Sequence, residues 1–124
     1  MGCRKPVLSP IRPGDIYLAH DWAGKHRPFV VVSRSELNRG RHFLAVPFTT
    51  QRLEQRRVLR NCVLFNEGSF GLPKACVAQA EAVTLLRQSD IVRPIRRVGK
   101  VSRDKLEDLV SALGYVIGAE CEPE

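Results

Sequence analysis

With 124 residues the chain has the length of one domain, enough to bury a core without disulfide or metal staples. Its composition, 44% hydrophobic and 27% charged, excludes a disordered or collagen-like chain. Twenty Lys and Arg against 13 Asp and Glu leave a formal charge of +7, which suits a polyanion such as nucleic acid and equally a solvated basic surface.

Residues 1–11, with Pro6 and Pro10, read as a loose N-terminal arm, residues 12–118 as a single domain and residues 119–124 as a tail. Met1-Gly2-Cys3 opens like a myristoylation signal, but position 6 is Pro where Ser or Thr is wanted. Cys121 stands at prenylation distance from the end without aliphatic residues after it. No apolar run is long enough to span a membrane. The cysteines Cys3, Cys62, Cys76 and Cys121 form no C-x-x-C pair and have no His at finger spacing, which argues against a structural zinc. Cys62 and Cys76 lie in apolar runs, as buried thiols do. With no secretory h-region ahead of the domain, a reducing cytoplasm is the expected compartment.

Pro13-Gly14 is a turn signal ahead of a short strand over Asp15–His20, and Asp21–His26 is a loop. Phe29–Ser33 is β-branched and almost wholly apolar, a central strand buried on both faces and bounded by Pro28. Arg34–Gly40 is a turn or one helical turn. Arg41–Phe48 is a third strand, with Pro47 marking its end or a bulge. Thr49–Arg60 is polar and basic, either a loop or a hairpin tip, and Asn61–Phe65 is a fourth strand. Asn66–Pro73 is a turn-rich connector, Ala75–Leu86 supplies one or two strands, and Gly99 closes another turn.

The last segment carries the clearest helix. Ser102 is a suitable N-cap, and Asp104 lies in the first turn where the helix dipole favours negative charge. Leu106, Leu109, Val110, Leu113, Val116 and Ile117 form one apolar stripe that Gly118 ends. Five or six short strands and a C-terminal helix describe a mostly-β (α+β) domain: a small curved antiparallel sheet or SH3-like, partly open barrel. No phosphate-binding glycine loop, G-x-S-x-G elbow or H-E-x-x-H is present.

Three polar stretches stand out: His26-Arg27-Pro28 before the second strand, Thr49-Thr50-Gln51 after the third, and Arg52, Arg56, Arg57 and Arg60 beyond it. Strand pairing in a small sheet can bring Arg27 and Thr49 to one rim. There a guanidinium and a hydroxyl suit a single phosphate. The bland reading is a solvated arginine and turn chemistry. Trp22 in the first loop has the flat face on which an unpaired base stacks, and equally that of a protein contact or a lid.

Arg12–Tyr17, His26–Ser33 and Ala45–Gln51 resemble three consecutive blocks of the MazF/PemK toxin family, in its order and near its spacing. Ala78–Leu86 is similar to a fourth block, and Gly99–Leu113 to the closing turn and helix. The resemblance implies the CcdB/PemK type of fold and the toxin half of a type II toxin–antitoxin system. It implies cleavage of single-stranded RNA without metal or cofactor, with the 2′-hydroxyl as nucleophile and a 2′,3′-cyclic phosphate and 5′-hydroxyl as products. It also implies a homodimer, an antitoxin that blocks it, and DNA binding together with that antitoxin. By motif, Arg27 would stabilise the phosphorane and protonate the leaving group, and Thr49 would bond the scissile phosphate, with Thr50 and Gln51 beside it. By residue type, Trp22 could stack a base and Arg52, Arg56, Arg57 and Arg60 could track RNA phosphates, or equally form a solvated hairpin with Glu54 as a local partner.

Many relatives have a longer first loop with a Gly-Ser-Glu-Gln stretch whose Glu has an acid–base or structural role. Here the loop shrinks to Asp21–His26 without such a Glu, leaving Asp21 or His26 to substitute. Strand alternation puts His26 and Arg27 on opposite faces. Two other readings stay open: a catalytically inactive or protein-targeting relative, as the gyrase-poisoning members of the same superfamily are, and an SH3-like RNA-binding module without catalysis.

Overall fold

The computed structural model describes residues 10–118. The arm expected over residues 1–11 (all but its last two residues), Cys3, Cys121 and the 119–124 tail lie outside the described residues. Seven strands form one curled antiparallel sheet: β1 (Asp15–His20), β2 (His26–Val31), β3 (His42–Thr49), β4 (Cys62–Phe65), β5 (Cys76–Gln79), β6 (Thr84–Arg87) and β7 (Arg97–Lys100). Their order is β4-β5-β3-β2-β1-β7, and β6 also pairs with β3. One-turn helices α1 (Ser35–Asn38) and α2 (Leu53–Arg56) flank β3, and α3 (Arg103–Val116) packs on the sheet.

The sheet exceeds the expected five or six strands because Ala75–Leu86 yields two, split by a 3₁₀ turn at Ala80–Ala82, and β7 forms where a turn was expected. Gly99 does not close a turn. It lies inside β7, paired with Ile16, where an added Cβ would come within 1.7 Å of the Phe70 carbonyl oxygen. The Thr49–Arg60 stretch is neither plain loop nor hairpin tip, since it winds into α2.

β2 begins at His26, ahead of the Pro28 bound expected, because it pairs with β1 as far as His20, and its Phe29–Val31 part is buried on both faces as its composition demands. Val30 joins a cluster with Ile16, Val46, Phe65 and Leu109 beneath α3, while Phe29 and Val31 face a second cluster around Phe43 and Ile91. Ile11, assigned to the arm from sequence, is 5% exposed and packs in that second cluster. Only part of the α3 stripe is covered: Leu109 is buried and Leu106, Leu113 and Val116 pack at the edge, but Val110 and Ile117 face outward.

Two prolines within strands shape the rim. The Val32 amide donates to the Leu44 carbonyl, so alternation directs the backbone groups of Val30 and Val46 at each other and those of Pro47 away from β2. Pro47 therefore neither ends β3 nor bulges it. It sits paired with Phe29, its missing N–H turned to the gap where β3 passes from β6 to β5. By the same alternation Pro28, one step beyond the last β2–β3 pair, offers no donor to the Phe48 carbonyl.

Candidate functional site

The carbonyl that Pro28 leaves unclaimed is taken by a side chain: Arg27 Nη1 donates to the Phe48 oxygen at 3.5 Å. This places the guanidinium beside Thr49 at the rim of the sheet. His26, Arg27, Pro28, Phe48 and Thr49-Thr50-Gln51 all line one open cavity of about 260 Å³. Two of the three polar stretches picked out in the sequence thus meet in space.

Arg27 is held on further sides. Its Nε donates to Asp21 Oδ2 at 3.1 Å, and its Cζ lies 5.1 Å from the centre of the Trp22 ring. Asp21 is itself engaged: Oδ1 accepts the amides of Ala23 at 2.8 Å and Lys25 at 2.9 Å. Burial pushes its carboxyl pKa up, but the Lys25 and Ala23 amides and the Arg27 charge outweigh this and leave it below the ordinary carboxylate value. A carboxylate so depressed and so occupied is a weak proton acceptor.

Thr49 is buried, and its Oγ1 accepts from the Gln51 amide at 3.2 Å and from Arg56 Nη1 at 3.4 Å. Arg56 also donates to the Gln51 carbonyl at 3.2 Å. With both lone pairs of the hydroxyl occupied, its proton is what remains to offer a ligand. Such a site, with Arg56 bonded to a hydroxyl donor and Arg27 on the carbonyl of the preceding residue, can bind a phosphodiester and stabilise added charge on it.

The remaining assignments divide. His26 lines the cavity but is exposed and sets its ring edge-on against His20 at 4.6 Å. Trp22 is 71% exposed. Arg52 is exposed at the start of α2 with φ +52°, and Arg57 pairs with Glu54 at 3.4 Å. Arg60 leaves the group, lying over the Tyr115 ring of α3 at 4.5 Å in a separate groove. Sequence reasoning missed Leu72, Pro73, Lys74 and Cys76, which complete the cavity wall. The available signal was Pro73-Lys74, a proline beside a cation two residues ahead of a strand. Burial pushes the Cys76 thiol up to about 11.

Fold and cavity together define a small basic half-barrel domain with an arginine and a threonine hydroxyl at one rim. The chain belongs to the PemK-like, MazF-like toxins of type II toxin–antitoxin systems, whose family model matches residues 12–117. A search of curated protein sequences returned no significant match. Among solved structures, the chain is similar to a mycobacterial endoribonuclease in complex with its cognate antitoxin. The two are 23% identical with a TM-score of 0.74, over 92% of this chain and 100% of that one. It is also similar to the Mycobacterium tuberculosis toxin MazF-mt6, at 20% identity and TM-score 0.69 over 83% and 95% of the two chains. The MazE–MazF complex of Deinococcus radiodurans aligns at 19% identity and TM-score 0.67 over 86% and 94%. At these identities the structural likeness establishes the fold. No helix among the described residues is long and apolar enough to cross a membrane.

Proposed function

We propose that this toxin is a sequence-specific endoribonuclease that cuts single-stranded RNA without metal, leaving a 2′,3′-cyclic phosphate and a 5′-hydroxyl. The observation that carries this is the meeting of the Arg27 guanidinium and the Thr49 hydroxyl at one open cavity. The scissile phosphate sits between them. Arg27 stabilises the charge that builds on the phosphorane and protonates the departing 5′-oxygen, while Thr49 donates to a non-bridging oxygen. His26, on the cavity wall, takes the 2′-hydroxyl proton in this scheme. Trp22 offers its exposed face to a neighbouring base, and Lys74 adds positive charge opposite. The active form is a homodimer of about 28 kDa, twice the 13.9 kDa chain, which an antitoxin segment inhibits by covering the site.

The test is cleavage of a mixed-sequence fluorophore–quencher RNA in EDTA by the purified protein and by Arg27→Ala. Cleavage that survives EDTA, ends in a cyclic phosphate and disappears in the variant supports the assignment. Clean dimeric protein that binds RNA without cutting it points to a binding module. Cell toxicity that persists in Arg27→Ala points to a protein target.

A further inference from the structure

The shortened first loop is closed around one carboxylate. The Asp21 amide donates to the Lys25 carbonyl at 2.8 Å, and the Gly24 amide returns to the Asp21 carbonyl at 2.9 Å. Gly24 takes the left-handed φ of +76° that so tight a turn requires. Inside this turn the two carboxylate oxygens divide their work. Oδ1 receives the Ala23 and Lys25 amides, and Oδ2 receives Arg27 Nε, with the Asp21 side chain 1% exposed. β1 and β2 pair Ala19 with Arg27 and His20 with His26, so the hairpin register itself delivers Asp21 beside Arg27.

The guanidinium is thereby fixed in three directions: Nε on Asp21, Nη1 on the Phe48 carbonyl, and its face over Trp22. Among the described residues Nη2 has no hydrogen-bond partner, and the Arg27 side chain stays 24% exposed. We propose that Asp21 is a positioning residue that locks Arg27 with its Nη2 edge presented to the phosphate, not the base that replaces a missing loop carboxylate. This inference rests on the catalytic role proposed for Arg27.

The two roles differ in measurable ways. Asp21 lowers the positive charge of the site, so it weakens RNA binding slightly while aligning the group that acts in the transition state. Misplacing a reacting group by about 1 Å costs on the order of 10²-fold in rate. Asp21→Asn isolates the lock, because the amide oxygen still accepts from Ala23 and Lys25 while Nδ2 sets a donor against Arg27 Nε–H. Asp21→Ala removes the turn bonds as well.

The experiment compares wild type, Asp21→Asn and Arg27→Ala for kcat and KM on one RNA. The expected result is that Asp21→Asn loses about 10²-fold in kcat with KM unchanged or lower, in protein shown to be fully folded, since an unfolded fraction would also lower kcat at constant KM. The melting temperature shows that the variant is folded in the assay. A folded Asp21→Asn that keeps kcat within about threefold overturns the inference; so does a loss expressed in KM alone. Should the variant not fold, NMR of the Arg27 Nε–H in the wild-type protein decides. The lock requires a resolved, protected signal that persists as pH falls towards the ordinary carboxylate value, because the ion pair and the amide bonds hold the Asp21 pKa below that value. A rapidly exchanging, random-coil-like signal overturns the lock. An Arg27→Ala protein that cleaves at the wild-type rate defeats the ribonuclease assignment itself, whatever Asp21 does.

Discussion

At Thr49 the two acceptor positions are filled from within the protein, by the Gln51 amide and Arg56, and only the hydroxyl proton is left for a substrate. Thr49→Val keeps the buried volume and β-branching but removes that donor. Loss of one such donor in a preorganised site reduces kcat on the order of 10²-fold, whereas Thr49→Ser retains most activity. Equal rates for the Val and Ser variants in single-turnover cleavage would remove Thr49 from the chemistry. Cys76 belongs to the same wall and behaves in the opposite sense. Its thiol, pushed up to about 11 by burial, stays protonated at neutral pH and resists alkylation in the native protein. The sign follows from linkage: a folded pKa above the ordinary 9.0 contributes stability that is present below that value and lost as pH rises through 11. Iodoacetamide labelling of native Cys76 at pH 7.5 is therefore expected to be much slower than in the unfolded chain; equal rates would show that the wall opens.

At the level of elements, α3 shows what a pattern can and cannot announce. Ser102 caps it as its identity suggests, its Oγ accepting the Lys105 amide at 3.2 Å, and Ser102→Ala should cost about 1 kcal/mol. Leu109→Ala should cost about 2–5 kcal/mol by leaving a cavity in the core. Val110→Ala, on the same sequence stripe but 57% exposed, should stay within about 0.5 kcal/mol. Denaturant melts of the three variants check the order. Periodicity identifies the helix but not the width of the face that the sheet covers, which depends on how far the sheet curls. The long apolar run of β2 was legible for the same local reason. The four-residue strands β5, β6 and β7 were not all legible, because so few alternations separate a strand from a turn. The rim site was half legible. Arg27 and Thr49 stood out by residue type and family pattern, but Lys74 reaches the cavity only because β5 pairs Val77 with Thr49. Likewise the diversion of Arg60 depends on Tyr115, far along the chain.

For the whole molecule, a formal charge of +7 says that polyanions are attracted but not where they lie. The distribution of arginines supplies the place. Arg27 lines the cavity, Arg56 bonds the Thr49 hydroxyl at its wall, and Arg52 and Arg57 flank α2 at its two ends, whereas Arg60 is turned to α3 and a different groove. On the proposed function, RNA running through the cavity is expected to have its phosphates neutralised first by the arginines on the α2 side. Each neutralised phosphate of a single strand adds about −0.7 to the slope of log affinity against log salt. Arg52→Ala should thus flatten that slope by up to about 0.7. Arg57→Ala should flatten it less, since Glu54 already offsets part of its charge. Arg60→Ala should leave the slope unchanged. Fluorescence anisotropy of a labelled RNA, titrated at several salt concentrations with Arg27→Ala as the non-cleaving background, measures all three. A flattened slope in Arg60→Ala together with an unchanged one in Arg52→Ala would move the RNA track off α2 and onto the face carrying Tyr115.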